Sequence, residues 1–65
     1  MLAILLKTVK KLEPTYREVV TMRYLEELTP REIARILEIT PTAVSVRITR
    51  GIEKLKEIYN NEKNI

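Results

Sequence analysis

The sequence predicts an all-α fold, a small four-helix domain. Apolar residues recur at helical spacing along most of the 65-residue chain, no stretch alternates apolar and polar residues long enough to make a strand, and each of the 3 prolines falls where a helix begins. Proline is tolerated in a first helical turn because the N–H it lacks has no partner there. A chain this short is expected to fold as a single domain over residues 1–65. Hydrophobic residues make up 45% and charged ones 32%, a balance that suits a packed core and not a disordered segment.

Helix 1 is expected over about Leu2 to Leu12, with Leu2, Ile4, Leu5, Leu6, Val9 and Leu12 as its apolar residues. That is more apolar surface than three short helices readily cover, so it is read either as a packing helix or as a partner contact. Helix 2, Pro14 to Glu27, spreads Tyr16, Val19, Val20, Met22, Tyr24 and Leu25 too widely for one amphipathic face and is expected at the centre. Helix 3, Pro30 to Glu38, opens with Thr29-Pro30-Arg31-Glu32, a capping box in which Thr29 and Glu32 satisfy each other's backbone N–H. Its residues Ile33, Ala34, Ile36 and Leu37 are expected toward the core, with Arg31, Arg35 and Glu38 outward.

Helix 4, Pro41 to about Tyr59, is capped by Thr40. On a helical wheel its core stripe is Val44, Ile48, Ile52, Leu55, Ile58 and Tyr59, with Gly51 in the middle. The opposite side carries Thr42, Ala43, Val46, Thr49, Arg50, Glu53 and Glu57, and Ser45, Arg47 and Lys54 sit on the flanks. Residues from Asn60 onward lose the apolar period and are expected to fray.

Charge gathers on helix 4. Between Ile39 and Lys56, Arg47, Arg50, Lys54 and Lys56 stand against Glu53 alone, a surplus equal to the +3 formal net charge of the whole chain. A short helix, a tight connection over about Glu38-Ile39-Thr40 and a longer capped helix with a small, basic front make a helix-turn-helix over about residues 30–59. The second helix of such a pair enters the DNA major groove, and small residues permit the close approach that bulky ones block. Free N–H groups expected at Thr40 to Ala43 add a phosphate-binding spot through the helix dipole.

The side chains divide by chemistry. Arg47, nearer the core edge, suits a phosphate, whereas Arg50 suits a phosphate or guanine O6 and N7. Val46 is an outward β-branched residue that a thymine methyl would cover, and Thr42, Ser45 and Thr49 offer hydroxyls to phosphates or base edges. Ala43 leaves room, and Thr40 caps the helix while remaining within reach of a phosphate. Arg31 and Arg35 face the flanking DNA backbone or pair with Glu32 and Glu38. Lys54 lies further from the groove.

No Cys, His, Asp or Trp occurs in the sequence. The usual zinc ligand sets, disulfides and Cys–His nucleophile pairs therefore have no residues to build them, and Ser45 has no His or Asp to activate it. Neither an enzyme nor a cofactor site is expected. The longest apolar run, Met1 to Leu6, is far shorter than the roughly 20 residues that span a bilayer. A soluble, cytoplasmic protein with no membrane partner is the expectation.

Leu12-Glu13-Pro14-Thr15-Tyr16-Arg17-Glu18-Val19-Val20, then Met22-Arg23-Tyr24, Leu28-Thr29-Pro30-Arg31-Glu32-Ile33-Ala34-Arg35-Ile36-Leu37-Glu38-Ile39-Thr40 and Thr42-Ala43-Val44 before Arg47-Ile48, closely resembles region 4 of bacterial sigma factors, above all the extracytoplasmic-function group. The likeness runs from about Leu6 to Leu55. It implies recognition of the promoter −35 element in double-stranded DNA by helix 4, docking on the β flap of core RNA polymerase, and an anti-sigma protein as a further partner. Two positions depart from the family pattern: Glu38 stands where a turn glycine is usual, and Ser45 where a basic residue is common. No segment corresponds to the separate −10-binding domain of most sigma factors, so both a fragment and a stand-alone relative are left open. The second half of the pattern is shared with LuxR-type regulators, and a LuxR-type output domain remains the alternative of the same class. An interaction module docking on polymerase or an anti-sigma protein is the alternative from another class.

Overall fold

The computed structural model describes residues 7–63, the last two by their backbone alone. Leu2 to Leu6 of the expected helix 1, and Asn64 and Ile65 of the expected tail, lie outside the described residues. Residues 7–9 are the described end of α1. There follow α2 (Pro14–Val20), a π-helical continuation (Thr21–Leu25), α3 (Pro30–Leu37) and α4 (Pro41–Lys63), with no strand among the described residues. The prolines stand at the starts of α2, α3 and α4, as their chemistry requires.

Helix 2 differs from the continuous helix that the sequence suggests. From Thr21 its backbone widens into a π turn, in which the Glu26 N–H donates to the Thr21 carbonyl at 3.1 Å. The Leu28 N–H then donates to the Met22 carbonyl at 2.9 Å, and Glu27 closes the element with a left-handed φ of 57°. A π turn takes up one more residue than an α turn and so rotates the residues after it about the helix axis. Tyr24, inside this widened turn, is 47% exposed, whereas Val19 and Val20 on the preceding α-helical turn are fully buried. Arg23 straps the connection: its Nη1 donates to the Leu28 carbonyl at 3.4 Å while its guanidinium lies 5.8 Å from the Tyr24 ring centroid.

The core draws on every helix: Val9, Leu12, Val19, Val20, Ile33, Ala34, Val44 and Leu55 are buried, and Tyr16, Met22, Leu28, Leu37, Ile39, Ile48, Ile52 and Ile58 pack around them. Fully burying an aliphatic side chain contributes about 1.5–3 kcal/mol, so Val19, Val20, Ile33 and Val44, all without exposed surface, dominate the stability of this packing.

Three expectations are corrected. Ile36 is 56% exposed, because Ile33, Ala34 and Leu37 fix the buried face of α3 and Ile36 lies about 110° around from its centre. Tyr59 is 39% exposed, whereas its neighbour Ile58 packs against the core, so the buried face of α4 ends on Leu55 and Ile58 and leaves Tyr59 at its edge. Fraying does not begin at Asn60, because the helix continues to Lys63.

Candidate nucleic-acid interface

The geometry of α3 and α4 is set by two caps and one turn. Thr29 Oγ1 accepts from the Glu32 N–H at 3.2 Å, and Glu32 Oε1 accepts from the Thr29 N–H at 2.9 Å, completing the capping box. These bonds to Thr29, with Arg35 nearby, hold the Glu32 carboxyl below the ordinary glutamate range although it stands in solvent. At the other end of α3, Glu38 takes φ 58° and ψ 42°, the left-handed conformation usual for glycine. The Ile39 N–H then reaches back to the Ala34 carbonyl at 3.1 Å, and half-buried Ile39 packs on the core. Helix α3 therefore ends at Leu37, with Glu38 as its cap rather than its last residue.

Thr40 opens α4 by accepting from the Ala43 N–H at 3.0 Å through Oγ1, while its carbonyl takes the Val44 N–H at 3.0 Å. This corrects the expected row of free amides. Pro41 has no N–H, and Ala43 and Val44 are engaged, which leaves Thr42 as the first-turn amide for a ligand. No acidic residue stands in that first turn.

Most of the expected contact residues line two shallow hollows. Arg31, Ala34, Arg35, Ile39 and Pro41 form one, across the junction of α3 with the start of α4, so the exposed arginines of α3 converge on the mouth of the second helix. Ser45, Val46, Thr49, Arg50 and Glu53 form the other, along the outer face of α4. Thr40, Thr42, Ser45, Thr49 and Arg50 lie toward solvent, and Ala43 and Arg47 are half-buried, Arg47 at the core edge as its wheel position requires. Val46 is 42% exposed among these polar groups. Lys54 stands apart, with its Nζ 3.7 Å from Glu57 Oε2 on the exposed surface.

Glu53 lines the second hollow although sequence reasoning leaves it out of the contact set. It falls three residues after Arg50 and seven after Val46, spacings that place all three on one helical face. That spacing is a signal the sequence carries, but a carboxylate is easily discounted where the partner is a polyanion.

A short capped helix, a left-handed turn and a long helix that turns a cationic, small-residue face to solvent define a helix-turn-helix protein. The family model for sigma-70, region 4 matches residues 2–55, and the chain belongs to that family. Region 4 domains are DNA-binding domains of transcription that act at promoters with RNA polymerase. No significant match was found among curated proteins or among solved structures. Among the described residues no helix is long and apolar enough to cross a membrane, and no group of three or more His, Cys, Asp or Glu side chains is placed to hold a metal.

Proposed function

We propose that the chain recognises a −35-type promoter element by laying the front of α4 in the major groove. Arg47 and the Thr42 amide meet phosphates beside the groove, Arg50, Val46, Ser45 and Thr49 face base edges, and Ala43 leaves room for the approach. Arg31 and Arg35 meet the flanking backbone, Thr40 adds a hydroxyl at the helix mouth, and Lys54 contributes long-range attraction from the outer edge. The reading is of a module that works by fit and not by catalysis, over a single domain of residues 1–65 in the cytoplasm.

One observation carries the reading: the second hollow gathers Val46, Arg50 and two hydroxyl residues on an exposed helix face, directly after a capped start without acids. A solvated helix gains nothing from an exposed valine in that company. Docking on the β flap of RNA polymerase, and binding of an anti-sigma protein, belong to the same reading. Ile36 and Tyr24 are exposed apolar side chains that line neither hollow and so are left for a protein partner. Selection of bound duplexes from a random pool tests the proposal. An asymmetric −35-like site is expected; a two-fold palindrome would favour the LuxR-type mode, and no enrichment would favour an interaction module.

A further inference from the structure

The hollow on the front of α4 is lined by groups of opposite character. Arg50 brings only hydrogen-bond donors to it and the Glu53 carboxylate only acceptors, with Ser45, Val46 and Thr49 as small walls between and beside them. At a separation of three residues, a cation and a carboxylate on a helix are near neighbours and commonly pair. Here, among the described residues, no ion pair joins them, whereas Lys54 and Glu57, at the same spacing one turn on, stand 3.7 Å apart. Both side chains are exposed and turned to the same space.

A ligand that fills this hollow has to offer acceptors to Arg50 and a donor to Glu53 together. A phosphate offers acceptors alone: it satisfies Arg50 but strips water from Glu53 and returns nothing. The major-groove edge of an A·T pair places its donor between two acceptors, which breaks up the adjacent acceptor pair that a guanidinium fork takes. A G·C pair presents guanine N7 and O6 side by side, followed by the cytosine N4 amine. That order, two acceptors and then a donor, matches Arg50 and Glu53.

We propose that Arg50 and Glu53 act as one donor–acceptor unit that reads a single G·C base pair, with Glu53 a specificity-determining residue. The inference rests on the DNA-binding reading above and adds the chemistry that its central hollow selects. On a matching site the carboxylate accepts from the cytosine amine. On any other sequence it is pressed against an edge that gives it nothing, so Glu53 discriminates mainly by rejecting wrong sites.

The test uses the full chain and the duplex recovered by selection, with each base pair in turn replaced by the other three, and reads affinity by fluorescence anisotropy. For the unsubstituted protein one G·C pair is expected whose replacement weakens binding about tenfold or more. Glu53→Ala should flatten the preference at that pair to within about twofold and leave the other positions unchanged, and Arg50→Ala should erase the preference at the same pair. Glu53→Gln, which keeps a carbonyl acceptor, should retain part of it. The proposal is overturned if Glu53→Ala tightens binding to every duplex by one common factor, which is simple charge repulsion, if it changes no position, or if the two residues map to different base pairs. In those cases sequence-selective binding survives and the DNA-binding reading stands without this addition. If the unsubstituted protein binds no duplex, both fall.

Discussion

Gly51 of α4 lies so close to α2 that a Cβ on it would stand 2.8 Å from Val20 Cγ2. Val20 is fully buried and β-branched, so it cannot swing aside as a long surface side chain would. Alanine gains about 1 kcal/mol of helix propensity over glycine, while overpacking a core costs about 1–3 kcal/mol. Gly51→Ala is therefore expected to destabilise the fold by about 1 kcal/mol. Adding Val20→Ala should make the two losses less than additive in a double-mutant cycle read by denaturant unfolding.

Glu38 occupies the left-handed region without a glycine's freedom, at a cost of about 1 kcal/mol. Glu38→Gly should raise stability by up to that amount, less the extra freedom that glycine brings to the unfolded chain. Because the turn already holds the right geometry, DNA affinity should stay within about twofold. Thermal unfolding and duplex titration of the same variant check both statements.

Glu32 is held below its ordinary range by the bonds to Thr29. A carboxyl with a lowered folded value contributes stability that is fully present above its unfolded value, about 4.3, and is lost as pH falls through the lower folded one. The thermal midpoint should thus fall across the acid limb, and Glu32→Gln should make that fall shallower while leaving its behaviour above about pH 6 parallel to the parent. A variant with the same acid slope as the parent would assign the pH dependence elsewhere.

On α3, two isoleucines three positions apart should answer differently. Ile33 is fully buried, and Ile33→Ala is expected to cost about 2–5 kcal/mol. Ile36 is exposed, and Ile36→Gln should change stability by less than about 0.5 kcal/mol. Equilibrium unfolding of the two variants side by side decides it.

The caps are the most legible part of the chain. Thr29, Glu32 and Thr40 sit one residue before or within three residues of a proline-marked helix start, and local chemistry of that kind depends on no distant contact. The turn is legible too, since two helices joined by so short a connection need a sharp reversal, and Glu38 makes it. Ile36, Tyr24 and Tyr59 escape a sequence reading for a different reason. Hydrophobicity says that a residue gains from burial, but not which neighbouring elements reach it. Apolar spacing alone gives no sign of a π turn at Thr21–Leu25 or of an α4 that continues to Lys63. On the outer face of α4, the wheel places Val46, Thr49 and Arg50 toward solvent, as the structure has them. Glu53 shares that face, and summing charge over the whole helix hides the hollow it helps to line.

The central claim is that the front of α4 meets duplex DNA through its cations, and the salt dependence of duplex affinity tests it most directly. The logarithm of the binding constant is expected to fall linearly with the logarithm of salt concentration, and Arg47→Ala should make that slope shallower by about 0.9, one phosphate contact, with the fold intact. Affinity that does not respond to salt, or a slope untouched by Arg47→Ala and Arg50→Ala alike, would contradict the account.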